Sequence, residues 1–226
     1  MKRKILRVYR THRQAKETYD KISKFYDLIS SSLENKFRML VLEKMNVKEV
    51  ESVLEIGPGT GCSLIEIAKK ISRNAQVHGV DISLGMLKKA KRKLRKRGLL
   101  RRVELCCGDA LCMPYRDNVF DAVFMSFTLE LFDTPEIPKV LCEVKRVLKP
   151  RGRFGVISMS KENDESLLLR LYEYFHEKWP KYVDCRPIYA EKLIRKAGYK
   201  ITYKEKMKML GLPIEIVIGL NMKVDY

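Results

Sequence analysis

The sequence predicts an α/β fold in which helices cover both faces of a seven-stranded, mostly parallel β-sheet. From Ser52 onward, short apolar runs rich in β-branched residues alternate with longer amphipathic segments, which is typical of a parallel sheet with helical crossovers. The last two apolar runs are separated only by a short segment around Gly211-Leu212-Pro213, which leaves no room for a crossover helix. The last strand is therefore expected to be antiparallel, in a hairpin with the strand before it.

The strands are predicted at the apolar runs. They are Val53–Ile56, Val77–Asp81, Val103–Cys107, Phe120–Ser126, Arg153–Ser158, Lys200–Lys206 and Ile214–Leu220. Helices are predicted where apolar residues recur every three or four positions, with breaks at Gly98, Lys149-Pro150-Arg151-Gly152 and Gly198. They are Cys62–Ile71, Gly85–Arg97, Ile137–Leu148, Glu165–Lys178 and Tyr189–Lys196. Residues 1–50 are expected to form an N-terminal helical cap of one or two helices, joined to residues 51–226 in a single structural domain.

The composition excludes several classes of protein. Of the 226 residues, 46% are apolar and 33% are charged, which suits a globular protein with a charged exterior. No apolar run approaches the roughly 18 residues of a membrane span, and no apolar stretch of a secretory leader follows the basic N-terminus. We therefore expect a cytoplasmic protein. The six cysteines form no CxxC pair and no zinc-ligand spacing, so we expect no metal site.

The chain is strongly basic. Its formal net charge of +18 favours an anionic partner, either nucleic acid or a phospholipid surface. Seven basic residues precede the first acidic one, Glu17, and ten more lie between Lys88 and Arg102. The second cluster has a simpler explanation, because apolar residues at helical spacing from Met86 to Leu94 leave its lysines and arginines on the solvated face of a helix.

A glycine-rich turn follows the first predicted strand. Gly57-Pro58-Gly59-Thr60-Gly61 joins that strand to a helix, a geometry that lets backbone approach a nucleotide closely. Asp81 ends the next strand, where its carboxylate is expected to accept hydrogen bonds from ribose hydroxyls. Glu55 would repel a pyrophosphate but suits an ammonium or sulfonium group. The pattern predicts a cationic nucleoside cofactor without phosphates.

These segments resemble the motifs of class I S-adenosylmethionine-dependent methyltransferases, which have a Rossmann-like fold. Glu55-Ile56-Gly57-Pro58-Gly59-Thr60-Gly61 is similar to their first motif and Gly79-Val80-Asp81-Ile82-Ser83 to their second. Cys107-Gly108-Asp109-Ala110 resembles their acidic residue after the third strand, and Phe120-Asp121-Ala122-Val123 resembles the strand that leads to their fourth motif. In the segment that resembles R-x-L-K-P-G-G, Arg151 replaces the first glycine. The resemblance covers about residues 50–160.

The resemblance implies S-adenosyl-L-methionine as cofactor, S-adenosyl-L-homocysteine as product and in-line transfer of a methyl group. It assigns Glu55 to the ammonium group, Asp81 to the ribose hydroxyls and Asp109 to the adenine amine. The full set of implied cofactor-binding residues is Glu55, Gly57, Pro58, Gly59, Thr60, Gly61, Asp81, Ile82, Asp109, Ala110, Ser126 and Phe127. Ile82 would pack on the adenine, the Ala110 amide would reach a ring nitrogen, and Ser126 with Phe127 would lie near the transferred methyl group.

The N-terminal region points to an acceptor class. Tyr19-Asp20 and Tyr26-Asp27, seven residues apart, resemble a doubled Tyr-Asp segment of the ubiquinone/menaquinone C-methyltransferase-like branch. Tyr19 and Tyr26, two helical turns apart, are expected to face the cofactor or acceptor from one side of a helix; the alternative is that they only pack on the core. Further candidates for acceptor contact or proton removal, each with a structural alternative, are Cys185, Arg186, Tyr189 and His176.

The fourth motif favours a small or lipid-soluble acceptor over nucleic acid. Ser126-Phe127-Thr128-Leu129 stands where methyltransferases of base amino groups carry N/D-P-P-Y/F, a segment that holds a flipped base. The basic N-terminus is then expected to contact anionic lipid headgroups, placing the protein at the membrane periphery. Two alternatives stay open: an RNA methyltransferase that uses the basic surface, and a cofactor-binding interaction protein without turnover. Oligomeric state is not predicted.

Overall fold

The computed structural model describes residues 4–23, 26–72, 75–161, 166–179 and 185–224, with residues 26–33 described for their backbone only. Seven strands form one sheet with the spatial order β3-β2-β1-β4-β5-β7-β6. They are β1 (Val53–Ile56), β2 (Val77–Asp81), β3 (Val103–Cys107), β4 (Phe120–Ser126), β5 (Leu148–Met159), β6 (Tyr199–Met209) and β7 (Leu212–Asn221). Neighbouring strands from β1 to β5 are parallel, and β7 is antiparallel to both β5 and β6. The predicted fold class is confirmed.

Helices cover both faces of the sheet. They are α1 (His12–Ile22), α2 (Tyr26–Lys44), α3 (Cys62–Lys70), α4 (Leu84–Lys96), α5 (Ile137–Val147), α6 (Leu167–Lys178) and α7 (Ala190–Lys196). Side chains alternate between the faces of a strand, so Val53 contributes to one apolar cluster with α2 and α3, and Leu54 to another with α5 and α7. As predicted, α4 buries Met86, Leu87, Ala90 and Leu94, which leaves its basic residues toward solvent.

Strands β5, β6 and β7 are each longer than predicted, and two of these differences have a local physical reason. The predicted break at Lys149-Pro150-Arg151-Gly152 lies inside β5, where the pairing with β4 shifts register. Pro150 has no backbone N–H to donate to a neighbouring strand, and such an irregularity accommodates it. Arg151, which replaces a glycine of the resembled motif, adopts φ +58°, the conformation that favours glycine. The hairpin turn is Leu210-Gly211, with φ +52° and +80°, so it begins one residue before the predicted Gly211-Leu212-Pro213 segment, whose last two residues belong to β7. Two left-handed residues match the twist of the paired strands.

The N-terminal segment folds against the sheet domain through polar contacts. Asp20 on α1 accepts hydrogen bonds from Ser83 Oγ (2.6 Å) and from the Gly85 amide (2.7 Å), at the N-terminal end of α4. Arg7 forms a bidentate pair with Asp133 at 2.8 and 2.6 Å. A carboxylate at a helix N-terminus is favourable because unpaired amide groups point toward it. These contacts hold α1 and the segment before it against the sheet domain, and the cap over residues 1–50 stays a prediction.

The single helix predicted to carry both Tyr19 and Tyr26 is not observed. Tyr19 and Tyr26 were expected on one helix face, but α1 ends at Ile22 and Tyr26 begins α2, so the single-helix prediction is wrong; the Tyr26 side chain lies outside the described residues.

All six cysteines are unbridged, and the described residues hold no group of metal-ligating side chains. No described helix is both long and apolar enough to cross a membrane.

Candidate active site

A cavity opens where the chain reverses its direction of strand addition. After β3 the chain returns to place β4 on the other side of β1, and a crevice forms at the carboxyl ends of strands at such a switch point. Every cofactor-binding residue expected from the sequence, apart from Gly61, lines this one cavity. Gly61 lies behind it, where an added Cβ would be 2.9 Å from Ala90 Cβ on α4.

The glycine-rich turn is held close to its neighbours. Gly57, Gly59 and Gly61 adopt φ values of +67°, +54° and +80°, which side-chain-bearing residues rarely adopt. The Gly57 amide donates to Val80 O of β2 at 2.8 Å. A Cβ on Gly57 would lie 2.6 Å from both Cγ2 and Oγ1 of Thr128. The turn therefore presents bare backbone to the cavity at a position where a side chain does not fit.

Asp81 connects the glycine-rich turn to α4. Its carboxylate accepts hydrogen bonds from the Gly59 amide (3.0 Å) and from the Ser83 amide (2.8 Å). Burial raises the pKa of Asp81 to about 6, although the two amides favour its charged form. The position at the end of β2 leaves the carboxylate on the cavity wall, where it can accept hydrogen bonds from a diol as the sequence predicted.

Glu55 places an unpaired carboxylate atom at the other side of the turn. Its side chain is buried, and Oε2 has no hydrogen-bond partner among the described residues. Burial raises the pKa of Glu55 to about 7, against the opposing effect of Arg38 and a hydrogen bond from Ser63. An unpartnered buried acceptor is costly unless a ligand satisfies it. A cationic amino group fits this position, so the residues present fit S-adenosyl-L-methionine.

We expect S-adenosyl-L-homocysteine binding to depend on the charge of Glu55. Only the carboxylate attracts an ammonium group, and a pKa of about 7 means that Glu55 is mostly protonated at pH 6. Affinity measured by calorimetry should therefore fall by about tenfold between pH 8 and pH 6. Glu55→Gln should bind more weakly at pH 8 and lose only about twofold across this range, because Asp81, with a pKa of about 6, is half protonated at pH 6. The same pH dependence in both proteins would contradict this assignment.

The N-terminal segment forms the opposite wall of the cavity. Arg10, His12, Ala15 and Tyr19 line it, and the Arg10 guanidinium lies 5.3 Å from the centre of the Tyr19 ring. His12 joins two carboxylates, with Nδ1 2.5 Å from Asp109 Oδ2 and Nε2 3.0 Å from Glu136 Oε1. Burial lowers the pKa of His12, but the two carboxylates outweigh it and leave the pKa above its ordinary value. Sequence reasoning missed His12 because its partners lie about a hundred residues away.

The far end of the cavity, where the acceptor is expected, is bounded by Arg38 and β4. Arg38 Nε donates to Ser126 Oγ at 3.2 Å, and the same guanidinium pairs with Glu34 on the preceding turn of α2. Phe127 follows with φ +50° and lines the cavity beside Ser126. Arg38 carried no sequence signal, because one arginine on an amphipathic helix resembles any solvated cation.

The structure does not bring the four C-terminal acceptor candidates to this cavity. Arg186 is fully buried and donates to Phe132 O; burial lowers its pKa to about 10. It therefore supports a residue of the cavity wall. Tyr189 precedes α7 with Lys192 Nζ 4.4 Å from its ring centre, His176 is buried on α6, and Cys185 O accepts from Tyr172. None of the four is among the residues that line the cavity.

The strand order, the glycine-rich turn after β1 and the acidic residues at the ends of β1 and β2 together define the fold of class I S-adenosylmethionine-dependent methyltransferases. The chain belongs to the ubiE/COQ5 methyltransferase family, whose sequence model matches residues 2–185. The matched range contains the whole cavity and ends before α7 and the β6–β7 hairpin.

Among similar proteins are two bacterial demethylmenaquinone methyltransferases. The Lactobacillus johnsonii protein is 32% identical over 163 residues, which cover 70% of this chain and 66% of the relative. The Listeria welshimeri protein is 36% identical over 151 residues, covering 65% and 63%. The chain thus spans slightly less than two thirds of the length of these relatives.

Solved structures also share the fold. A SAM-dependent methyltransferase from Aquifex aeolicus superposes with a TM-score of 0.67 at 25% identity, covering 89% of this chain and 97% of that one. The [4+2]-cyclase SpnF superposes with a TM-score of 0.73 at 21% identity, covering 93% and 96%. The second similarity concerns the fold alone.

Proposed function

We propose that this protein is an S-adenosylmethionine-dependent methyltransferase that acts on a small or lipid-soluble, quinone-like acceptor. The observation that carries the proposal is the buried Glu55 carboxylate beside the glycine-rich turn, whose Oε2 has no hydrogen-bond partner among the described residues. Family membership and the names of the relatives support both the reaction and the acceptor class.

In this proposal three groups of residues on the cavity wall each bind one part of the cofactor. Glu55 and the backbone of Gly57 and Gly59 hold the amino acid end, while Asp81 holds the ribose hydroxyls. Ile82, Asp109 and Ala110 surround the adenine. Pro58, Thr60 and Gly61 shape the turn. Asp109 is paired with His12, so the N-terminal segment covers the adenine side of the cavity.

The chemistry needs alignment more than a dedicated catalytic group. When bound, S-adenosyl-L-methionine supplies an electrophilic methyl group on a sulfonium. The chain then has to hold an acceptor carbon in line with that group and keep water away. Ser126, Phe127 and Arg38 border the acceptor end, where the guanidinium can donate to an acceptor oxygen. Tyr19, on the cavity wall, is our candidate for acceptor contact; Tyr26 stays a candidate on sequence grounds.

Methyl-labelled S-adenosyl-L-methionine tests the proposal. Incubation with a short-chain demethylnaphthoquinol under reducing conditions should place label in the organic phase, and Asp81→Ala should lose most of this transfer when the cofactor is kept near the dissociation constant of the wild type. Incubation with total RNA should leave the RNA unlabelled. Label in RNA and not in quinol would favour the RNA methyltransferase. Cofactor binding with no transfer to quinol, RNA or cell extract would favour a binding protein without turnover.

We also propose a cytoplasmic location with peripheral contact to anionic membrane through the basic N-terminus. In the described residues, Arg7, Arg13 and Lys16 are each paired with a carboxylate, so part of this charge is offset within the fold. Lys2, Arg3 and Lys4 are the cations to test. Reversing all three to glutamate should weaken sedimentation with anionic vesicles; unchanged sedimentation would contradict the contact.

A further inference from the structure

Helix α6 packs with polar side chains toward the protein interior and most of its large apolar side chains toward solvent. Leu169, Glu173 and His176, three and four residues apart, form its buried side. Glu173 is paired there with buried Lys161 at 2.6 Å. The large apolar side chains point outward, with Leu167 81% and Trp179 49% exposed. The exposed apolar residues of this helix and its end are Leu167, Leu168, Leu171, Tyr174, Phe175 and Trp179.

These six residues, together with Leu210, are termed the α6 surface. Leu210 is 74% exposed at the tip of the β6–β7 hairpin, and the tip touches the helix because a Cβ on Gly211 would lie 3.0 Å from Leu168 Cδ2. Phe175 and Trp179 stack with ring centres 5.4 Å apart. A contiguous exposed apolar patch of this kind marks an interaction surface in a folded protein.

The α6 surface lies at the same edge of the sheet as the cofactor cavity. Helix α6 follows the carboxyl end of β5, and β7 begins beside that end because Ile214 pairs with Met159. The cavity opens at the carboxyl ends of β1, β2 and β4, which run parallel to β5. A partner that binds the α6 surface would therefore lie beside the sheet edge at which the cavity opens and the acceptor has to enter.

We propose that the α6 surface docks the protein onto the interface of an anionic lipid bilayer. Trp and Tyr are favoured at such interfaces, where a ring can sit at headgroup level, and the surface contains one of each. Lys178 Nζ lies 6.0 Å from the centre of the Tyr174 ring, and Arg170 on α6 and Lys208 on β6 are exposed. The choice of a bilayer as occupant rests on the proposed lipid-soluble acceptor, and docking would deliver that acceptor to the cavity edge directly from the membrane.

Charge favours a bilayer over a second copy of the chain. Two chains that each carry a net charge of +18 repel one another, whereas anionic headgroups attract the same charge and concentrate the protein at the membrane. Basic residues beside an exposed apolar helix face are typical of helices that lie in the plane of the interface. The exposed apolar side chains then enter the acyl boundary while the lysines stay at headgroup level.

The protein carries its own probe for this contact, because Trp179 is the single tryptophan in the sequence. Vesicles of phosphatidylcholine with phosphatidylglycerol should shift its fluorescence to shorter wavelength, and brominated acyl chains should quench it. Vesicles of phosphatidylcholine alone should give a smaller response. An unchanged Trp179 spectrum on vesicles that sediment the protein would show that another surface makes the contact, and would overturn the proposal.

Substitution on the exposed face provides the second test. Leu171→Ser with Phe175→Ser should weaken sedimentation with the anionic vesicles by roughly tenfold or more. Val50→Ser, which changes a 78% exposed apolar residue away from this surface, should leave sedimentation unchanged. Both variants should keep wild-type affinity for S-adenosyl-L-homocysteine, which confirms folding. Equal vesicle binding by the double variant would contradict docking through α6.

The outcomes separate docking from chemistry and from self-association. Vesicle binding is measured without acceptor, so a failure of the proposed methyl transfer would not affect it. If the reaction is as proposed, the double variant should keep wild-type turnover of a water-soluble short-chain quinol and lose turnover of vesicle-embedded long-chain quinol. Light scattering that shows a wild-type dimer, dissociated by the double substitution with vesicle binding unchanged, would overturn the proposal in favour of a second copy.

Discussion

Asp81→Ala is expected to weaken binding of S-adenosyl-L-homocysteine by about 100-fold or more. The substitution removes the acceptor proposed for the ribose hydroxyls and the shared acceptor of the Gly59 and Ser83 amides. Each hydrogen bond to a charged group contributes about 1.5–3 kcal/mol, so losing two corresponds to at least two orders of magnitude in affinity. Titration calorimetry at pH 8, where Asp81 and Glu55 are both ionised, measures the effect.

A matched control separates this effect from a general loss of negative charge. Asp117 is an exposed carboxylate whose partner Arg146 keeps a second acidic partner, Glu143. Asp117→Ala should therefore bind the cofactor product as the wild type does. Thermal unfolding should confirm that Asp81→Ala is folded at the temperature of the titration. An affinity within threefold of the wild type would contradict the role given to Asp81.

The sheet and the cofactor side of the cavity were predictable because their sequence patterns are local. A buried strand, a glycine-rich turn and the acid at the end of the next strand are each fixed by a few neighbouring residues. Parallel pairing then brings Glu55 and Asp81 to the same edge, since carboxyl ends of parallel strands align. The residues predicted to bind the cofactor therefore lie around one cavity, with only Gly61 displaced from its wall, and their contacts with the cofactor stay a prediction.

The opposite wall could not be predicted in the same way. His12 reaches Asp109, and Arg38 reaches Ser126, so each contact depends on how the N-terminal helices pack against the finished sheet. Nothing in the spacing of the chain encodes such long-range pairs. The repeated Tyr-Asp pattern suggested one helix, whereas the chain ends α1 at Ile22. Arg186 illustrates the reverse error, because a buried guanidinium that supports Phe132 resembles a ligand-binding residue in sequence.

Helix α6 shows a further limit of pattern reasoning. Apolar periodicity predicts that a helix exists and that it has two unlike faces, but it does not say which face packs inward. Here Lys161 offers buried Glu173 an ion pair, so the polar side is the one that packs.

The same fold also occurs in a cyclase, so the fold alone does not specify chemistry. The reaction has to be argued from Glu55, Asp81 and the residues around them.

Gly57→Ala is expected to remove measurable cofactor binding while leaving a folded protein. The left-handed φ of +67° strains any side-chain-bearing residue by about 1–2 kcal/mol. The added Cβ would also lie 2.6 Å from Thr128, whose hydroxyl is held by a 2.9 Å hydrogen bond to Ser126 O. The turn has to move away from β4, which displaces the amides that face the ligand and lowers affinity by at least about 100-fold.

Gly98→Ala provides the control that isolates this steric effect. Gly98 has nearly the same φ, +69°, but a Cβ there meets nothing within 4 Å. The Gly98→Ala substitution should lower the free energy of unfolding by about 1 kcal/mol. The variant should keep full affinity for S-adenosyl-L-homocysteine. Adding Thr128→Ala to Gly57→Ala should restore part of the lost affinity, because the closest atoms are those that the second substitution removes. Full binding by Gly57→Ala alone would show that the turn tolerates a side chain and that close packing against Thr128 does not shape the site.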